Sequence, residues 1–515
     1  MSSFVYLAYL VFFSLPLLTI ISIYRVVNDY TYRHLAFFEA NKKMDFLNPF
    51  IETGGYKFDF VDLYPGYDLI LRYLGIFSEL PTETIQILPI PGIAITLTLY
   101  LLLTKLTTNR LLAIILSISA VPLDMAFSLQ FNSVHYYSIN ALYYLAFLYF
   151  LISYLETKND RKYFIILLSV LYISSLFIHH RAPIWMILTL FGLIGISWII
   201  DRNRHKLVFL ALSFLILYLA FNKVAFNQYL PKAVEYGLSF GFDTLNYSIY
   251  KIVGLKETTQ NYMYPPSPAF IYSDEYNTIN SIKHLSFMIL TSWAFLFKIK
   301  KIFKSGKEMS INDTIFLTLF SCLIAESITY FMIGRVSMLY FTLVSAIFLA
   351  VIISDILEKL KKHKLRTFFV STLIIIILII SAVKFAVAYR DNFNMGKIGY
   401  EDILEGSKWS LAHGENIKIT GDFRVFSMFL LENSKYYVFP DYIPLSQPIY
   451  ANIVEGRKIN SNTYFLLNKK DLDSTVISMF WWYFEPFSKY YNEINLNPYL
   501  DKVYEDSRIE VYLSK

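Results

Sequence analysis

The sequence predicts a polytopic α-helical membrane protein, with about eleven transmembrane helices, that ends in a C-terminal extracytoplasmic α/β domain. Composition is the first reason: of 515 residues, 56% are hydrophobic and only 17% are charged. An average globular chain is roughly 45–50% apolar and about 25% charged. The second reason is that the apolar residues form runs long enough to cross a bilayer. The third is that segment 390–515 has ordinary charge and alternates strand-like with helical patterns.

Each apolar run approaches the length of about 20 residues that crosses roughly 30 Å of hydrocarbon. In chain order the runs are 4–24, 84–104, 111–128, 138–155, 163–180, 183–200, 207–222, 285–299, 312–333, 336–356 and 367–389. The eighth run is short and could begin earlier, near Asn277. The first run has neither a basic segment before it nor a small-residue cleavage site, so we expect a retained helix rather than a signal peptide.

Lysine and arginine are concentrated in five short loops, and this pattern predicts the orientation. The loops are 105–110, 156–162, 201–206, 298–307 and 358–366. Short cytoplasmic loops carry an excess of Lys and Arg, so we place these loops and the N-terminus in the cytoplasm. Basic residues after the first run, such as Arg25 and Lys42, lie in a long outer loop, and long segments translocate largely regardless of charge. The net charge of +6 therefore reflects topology and predicts no nucleic-acid partner.

This topology divides the chain into a transmembrane domain, 1–389, and an outer soluble α/β domain, 390–515. The first domain carries two large outer loops, 25–83 and 223–284, and the loop 25–83 contains the helical pattern YDLILRYLGIF. The sequence shows no internal repeat, which disfavours a repeat-built transporter. Its single cysteine, Cys322, excludes an internal disulfide and a cysteine-based zinc site. We expect a multi-pass protein of the plasma membrane.

Ionisable residues at the outer ends of the runs are the candidates for function, because a charge in the membrane is costly and normally has a use. They place carboxylates, histidines and arginines on one membrane face, where they could converge on one cavity. These residues are Asp29, Asp124, His135, His179, His180, Arg181 and Arg335, together with Asp59, Asp62 and Asp68 in the first outer loop.

Each main candidate has a structural alternative. Asp29 could cap the helical pattern that follows it, since Asp before a helix commonly accepts backbone N–H bonds. Asp124 could pair with a neighbouring helix. His179 and His180 could be interfacial residues rather than metal ligands. Arg335, in a tight apolar turn, either reaches lipid headgroups or holds a bound phosphate.

Several common catalytic motifs are absent from the sequence. It has no glycine-rich phosphate loop, no HExxH and no nucleophile elbow. No predicted cytoplasmic loop is large enough to house a nucleotide-binding domain. A phosphate-bearing substrate must then arrive through the membrane or from the outer side, and a lipid-linked donor fits that requirement.

The arrangement of these features resembles the membrane glycosyltransferases of the C-type superfamily (GT-C), which includes oligosaccharyltransferases and protein mannosyltransferases. The likeness covers most of the chain as architecture: a first span, a long outer loop, a multi-span core and an outer α/β domain. Asp29 in NDYTYRHLAFFEA matches the family's acid after the first span. The segment YPGYDLILRYLGIF resembles the part of the loop that leads into the second span, and LDKVYEDSRIEVYLSK resembles the last strands of the outer domain.

The resemblance implies transfer of one sugar from a polyprenyl-phosphate-linked donor to a protein, lipid or glycan acceptor on the outer face. It implies that Asp29 is the catalytic carboxylate. Asp29 would act either as the general base or as a ligand of a divalent metal such as Mg or Mn. Only Asp124 is available as a second acid for that metal, which departs from the family's acidic motif. Arg335 resembles the family arginine that contacts the phosphate. The other expected substrate-binding residues are Arg181, His135, His179 and His180.

Other assignments stay open. The segment from Phe131 to Trp185 resembles the central helices of polysaccharide polymerases of the EpsG and Wzy type, although that family usually lacks a long outer tail. The number of spans and Glu326 favour a transporter, and the outer domain is compatible with a receptor-like scaffold. The pair Trp481 and Trp482 only partly matches an oligosaccharyltransferase signature, so we interpret both as core aromatics and expect no sequon recognition.

Overall fold

The structure is a computed structural model, and it divides the chain into two compact units. One unit holds the helices that precede residue 390, and the other holds the elements that follow it. The structure describes residues 3–24, 65–80, 88–124, 136–157, 161–179, 181–199, 205–225, 274–305, 309–333, 338–360, 363–395, 401–413, 418–421, 425, 442–445, 447–472, 476–477, 483–484 and 487–515.

The first unit is built from helices. In chain order they are α1 (Ser3–Tyr24), α2 (Pro65–Ser78), α3 (Ile90–Leu106), α4 (Arg110–Ala120), α5 (Tyr136–Glu156), α6 (Arg161–Leu176), α7 (Arg181–Ile199), α8 (His205–Ala225), α9 (Asp274–Ser305), α10 (Ile311–Ile333), α11 (Met338–Lys359) and α12 (His363–Met395).

The apolar character of these helices is that of a helical membrane protein. Among the described residues, three segments are long and apolar enough to cross a bilayer: Tyr137–Glu156, Arg181–Ile199 and Phe368–Ala388. Five shorter apolar segments accompany them: Ala8–Thr19, Ile90–Leu106, Arg110–Ala120, Lys206–Phe221 and Ile311–Ala325. Helix α12 exposes large apolar side chains, as a lipid-facing helix would. The count of eleven spans and their orientation stay predictions.

Two helix boundaries differ from the apolar runs in an informative way. The run 111–128 corresponds to a shorter helix, α4, which ends at Ala120 and is followed by a turn. Pro122 accounts for that end, because proline lacks the N–H that the next helical turn would need. The short run 285–299 belongs to a much longer helix, α9, which begins at Asp274, before the earlier start considered near Asn277.

Contacts link four of the five basic loops at one end of the helix bundle. Lys105 pairs with Glu156 at 2.6 Å, which joins the ends of α3 and α5. Asn312 donates a hydrogen bond to the carbonyl of Leu106, which brings the start of α10 to the same place. Lys359 lies 3.9 Å above the Phe297 ring, so the ends of α9 and α11 also meet there. We call this the Lys298 end, after a buried lysine of α9, and the opposite one the Asp124 end.

Helix α2 confirms the helical pattern expected in the first outer loop, and its start is attached to α6. The Gly66 N–H donates a 2.9 Å hydrogen bond to the carbonyl oxygen of Phe177. Farther along, Tyr73, Ile76 and Phe77 are 57%, 62% and 82% exposed. Residues spaced by three and four lie on one helix face, so these three side chains form an exposed apolar face of α2.

The second unit contains a five-stranded mixed sheet. Its strands are β1 (Lys418–Gly421), β2 (Tyr442–Pro444), β3 (Thr463–Asn468), β6 (Leu500–Glu505) and β7 (Ile509–Ser514), in the spatial order β2-β1-β3-β7-β6. The pairs β1–β2 and β1–β3 are parallel, whereas β3–β7 and β6–β7 are antiparallel. A separate pair consists of β4 (Val476–Ile477) and β5 (Tyr483–Phe484). Strands β1, β3 and β7, with the sequences KITG, TYFLLN and IEVYLS, lie in the segment 390–515 that the sequence predicts to alternate strands with helices.

Helices cover both faces of this sheet. They are α13 (Glu401–His413), α14 (Gln447–Val454) and α15 (Tyr491–Asn495). Every residue of β3 is buried, as expected for a central strand with both faces covered. On one face Trp409 of α13 lies 5.8 Å from the Tyr464 ring, and on the other Phe465 packs with the apolar residues of α14 and α15. These layers fit the α/β pattern of the sequence.

A buried carboxylate stabilises the β6–β7 hairpin. Glu510 is 0% exposed and accepts hydrogen bonds from the Tyr491 hydroxyl at 2.6 Å, the Tyr512 hydroxyl at 2.5 Å and the Lys502 ammonium at 2.9 Å. Burial opposes the charged form of Lys502, but its hydrogen bond to Glu510 and the Glu510 charge outweigh burial and raise its pKa to about 12. The hairpin therefore contains an ion pair between a buried carboxylate and a half-buried lysine.

Candidate functional site

The structure describes three of the seven predicted site residues: Asp124, His179 and Arg181. The other four lie outside the described residues, and they are Asp29, His135, His180 and Arg335. Asp59 and Asp62 also lie outside them, as do the side chains of Asp68 and Glu326.

Asp124 is the centre of an ion-pair triad at the Asp124 end. It follows the C-terminal end of α4, and its two carboxylate oxygens accept hydrogen bonds from two different lysines. Oδ2 pairs with Lys283 of α9, and Oδ1 pairs with Lys384 of α12. The Lys384 ammonium also lies 5.2 Å from the centre of the Tyr276 ring. Asp124 thus joins three helices. Pairing with a neighbouring helix is the structural alternative that the sequence left open for this residue.

The two lysines of this triad were not singled out from the sequence, although a signal for one of them was present. Lys384 lies inside the apolar run 367–389, and an ionisable residue within such a run is a functional candidate by default. Lys283 lies just before the run 285–299, where a lysine at a helix end would ordinarily reach the headgroups. Its pairing with Asp124 depends on how α9 packs, which the local sequence does not contain.

Arg181 and His179 meet on an aromatic ring at the Asp124 end. Arg181 is the first residue of α7, and its guanidinium lies 4.5 Å from the centre of the Tyr137 ring. The buried His179 imidazole contacts the same ring edge to face, with centroids 4.9 Å apart. Such cation–π contact holds a guanidinium in place while its N–H donors stay available for other acceptors. Two of the predicted substrate-binding residues are therefore brought together.

Asn140 adds a polar group beside this pair. Its Nδ2 donates a 3.4 Å hydrogen bond to the carbonyl of His179, and the residue is 0% exposed. Its Oδ1 has no hydrogen-bond partner in the described part of the chain. A buried amide oxygen without a partner is costly, which makes it a natural acceptor for a hydroxyl or water. We call Tyr137, Asn140, His179 and Arg181 the Arg181 cluster.

Asp124 makes two ion pairs in this structure, and its expected role as a metal ligand stays a prediction. Both of its oxygens are already paired with ammonium groups, which would repel a divalent cation. Within the described ranges there is also no group of three or more His, Cys, Asp or Glu residues that could hold a metal ion. The metal-binding prediction for Asp29 falls on a residue that the structure does not describe.

A second group of three ion-paired side chains lies at the Lys298 end, with the opposite ratio of cations to carboxylates. The buried Lys298 ammonium pairs with Asp313 of α10 and, at 2.5 Å, with Asp355 of α11. Lys298 and Lys283 are 15 residues apart on α9, so a rise of about 1.5 Å per residue separates them by roughly 22 Å. The Lys298 group has one cation for two carboxylates, whereas the Asp124 triad has two cations for one carboxylate.

No protein-family model matches the chain, and no curated protein matches it either.

Proposed function

We propose that this protein is a membrane glycosyltransferase of the GT-C type, which transfers a sugar from a polyprenyl-phosphate-linked donor to an acceptor at the outer face of the membrane. The observation that carries the proposal is the Arg181 cluster. It combines a guanidinium fixed on an aromatic ring with a buried amide oxygen that can accept a hydrogen bond. A guanidinium suits a phosphate, and amide and imidazole groups suit sugar hydroxyls.

The proposed transfer is an inverting displacement. Asp29 removes the proton from the acceptor hydroxyl as that oxygen attacks the anomeric carbon of the donor, and the bond from that carbon to the phosphate oxygen breaks. Arg335 and Arg181 stabilise the negative charge that develops on the departing phosphate. A divalent metal, where one is bound at Asp29, would supply the same neutralisation. A positioned general base typically contributes a factor of about 10²–10⁴ to the rate.

The test is sugar transfer by the purified full-length protein with polyprenyl-phosphate-linked sugars as donors. The expected result is release of polyprenyl phosphate and a sugar added to the acceptor. We expect Asp29→Asn to bind donor while its rate falls by about 10²–10⁴. Wild-type turnover in that variant would remove Asp29 from the assignment, and a lack of transfer from every donor would remove the function. Mass analysis of cell-surface glycans with and without the protein identifies the sugar and the acceptor.

A polysaccharide polymerase of the EpsG or Wzy type is the second candidate. The observation that favours it is that the Arg181 cluster is formed by the segment that resembles the central helices of that family. The two activities differ in product: a polymerase joins oligosaccharide units into long chains, whereas the proposed transferase adds a single sugar. A transporter, the third possibility, would move its substrate without releasing a lipid phosphate.

A further inference from the structure

The Asp124 triad contains more positive than negative charge and is largely enclosed by protein. The side chains of Asp124 and Lys384 are 4% and 6% exposed, and that of Lys283 is 28% exposed. Two ammonium groups face one carboxylate, so the three side chains together carry one positive charge in excess. An excess charge away from water is unfavourable unless an anion or the headgroup region meets it.

Lys283 is the member of the triad that an incoming anion can reach. Lys384 is nearly buried, and Asp124 on one side and the Tyr276 ring on the other hold its ammonium in place. Lys283 is the most exposed of the three, and an ammonium has three N–H donors, of which the pair with Asp124 uses one. Asp124 fixes the position of Lys283, and that preorganisation reduces the entropy lost when the lysine binds a second anion.

The charge of the triad matches one phosphate group. A phosphodiester that links a sugar to a lipid carries a single negative charge, and its addition would bring the group to neutrality. The location also suits a lipid, because α9 and α12 both expose large apolar side chains, including Met288, Ile289 and Val383, within two turns of the lysines.

We propose that Lys283, positioned by Asp124 and supported by Lys384, is an anion subsite for the single phosphate group of a membrane-embedded lipid. With the glycosyltransferase function proposed above, on which this identification of the lipid rests, the subsite receives the phosphodiester of the sugar donor and the phosphomonoester that remains after transfer. Its residues belong to helices other than those of the Arg181 cluster, and in the proposed transfer Lys283 contacts the same donor phosphate as Arg181 and Arg335.

The test is the binding of polyprenyl phosphate to the full-length protein in detergent, measured by ligand-induced thermal stabilisation and by equilibrium binding. Lys283→Gln leaves Asp124 and Lys384 as a neutral pair, so this variant is expected to fold. It should bind polyprenyl phosphate roughly tenfold to hundredfold more weakly, as expected for loss of one charge-assisted hydrogen bond. Lys283→Arg keeps the charge and should recover much of the affinity.

Lys300→Gln is the matched control, because it removes the same charge from an exposed position of the same helix. It should bind polyprenyl phosphate as the wild type does. Phosphatidylglycerol and inorganic phosphate are the other probes. Preference for polyprenyl phosphate over both supports the donor lipid, whereas equal binding of phosphatidylglycerol would overturn that identification in favour of a general headgroup contact. Equal binding of inorganic phosphate would overturn the lipid requirement.

Failure of this subsite and failure of the enzymatic function give different results. If the protein transfers sugar but Lys283→Gln binds polyprenyl phosphate with wild-type affinity, the subsite is refuted and the function stands. If polyprenyl phosphate binds in a Lys283-dependent way but no sugar is transferred from any donor, the subsite stands and the function is refuted. A lower melting temperature in Lys283→Gln with unchanged affinity would show that the triad only joins the helices.

Discussion

Gly66 and Phe177 join the start of helix α2 to the helix bundle through one backbone hydrogen bond, with the Gly66 nitrogen 2.9 Å from the Phe177 carbonyl oxygen. The approach is so close that a Cβ atom on residue 66 would lie 2.9 Å from that oxygen and 3.0 Å from the carbonyl carbon. Phe177 is two residues before His179, so the start of α2 is attached beside the Arg181 cluster.

Gly66→Ala should therefore detach the start of α2. Its methyl group would meet backbone atoms, which cannot move aside by rotating a side chain, and overpacking of this kind costs about 1–3 kcal/mol. Faster proteolysis near residue 66 and a lower melting temperature are the expected results. Gly195→Ala is the control, because a Cβ there meets no atom within 4 Å. In that helix the change should stabilise by up to about 1 kcal/mol. Equal behaviour of the two variants would contradict the close approach.

Arg181→Lys should weaken donor binding. Lysine keeps the charge but loses the planar, bidentate geometry that matches a phosphate. We expect a loss on the order of tenfold in affinity for the polyprenyl-phosphate sugar, with little change in melting temperature. Arg161→Lys is the control, because Arg161 also lies over a tyrosine ring, that of Tyr154 at 5.4 Å, but at the Lys298 end. Equal effects of the two substitutions would assign Arg181 to helix packing alone.

Removal of Lys298 should destabilise the protein severely. Lys298→Met removes the ammonium that pairs with both Asp313, whose side chain is 3% exposed, and Asp355. Loss of one partner from a buried ion pair typically costs about 3–5 kcal/mol. The double variant Lys298→Met with Asp313→Asn should recover part of this loss, since it removes the buried charge of Asp313 and leaves that of Asp355, which is 33% exposed. Thermal unfolding measures both effects, and a drop no larger than that of Lys300→Met would rule out a stabilising role.

The Lys502–Glu510 pair should contribute to the stability of the folded state, and this contribution should disappear at alkaline pH. The folded-state pKa of Lys502 is raised to about 12, above the ordinary lysine value of about 10.4. A raised pKa means that the contribution is complete below pH 10 and is lost as the pH rises through 12. Lys502→Met should thus lower the melting temperature by a constant amount between pH 7 and pH 9, in roughly the range where lysine stays charged. The difference should shrink above about pH 10.

Lys515→Met is the matched control for that titration, because Lys515 is 57% exposed and pairs with Asp501 at the surface. A surface pair contributes about 0–1 kcal/mol, so its removal should change the melting temperature little at any pH. A Lys502→Met difference that persists unchanged to pH 12 would show that the side chain acts through apolar packing and not through its charge.

Labelling of an introduced cysteine tests the predicted orientation. Lys408 of α13 is 47% exposed and reports on the outer domain, while the exposed Lys162 reports on a predicted cytoplasmic loop. The native Cys322 is 1% exposed, so it should contribute little background. Lys408→Cys should react with an impermeant maleimide applied outside intact cells, and Lys162→Cys should react only after permeabilisation. The reverse pattern would invert the membrane topology and move the proposed active site to the cytoplasm.

The sequence by itself determined that this chain is helical and apolar, because hydrophobicity and its spacing are local properties that each segment carries alone. The same holds for the helical pattern YDLILRYLGIF, which lies in helix α2. The ends of the helices were harder to predict from hydropathy. Helix α4 ends early, before a proline, and α9 extends through polar residues that a hydropathy criterion rejects.

Tertiary structure alone decided how the charged residues are paired. Asp124 read in isolation could be a metal ligand or a helix partner, and only the packing of α9 and α12 brings Lys283 and Lys384 to its two oxygens. These residues are separated by 159 and 260 positions along the chain, so no local pattern could connect them. Electrostatic interaction depends on distance in space, and only the fold sets that distance.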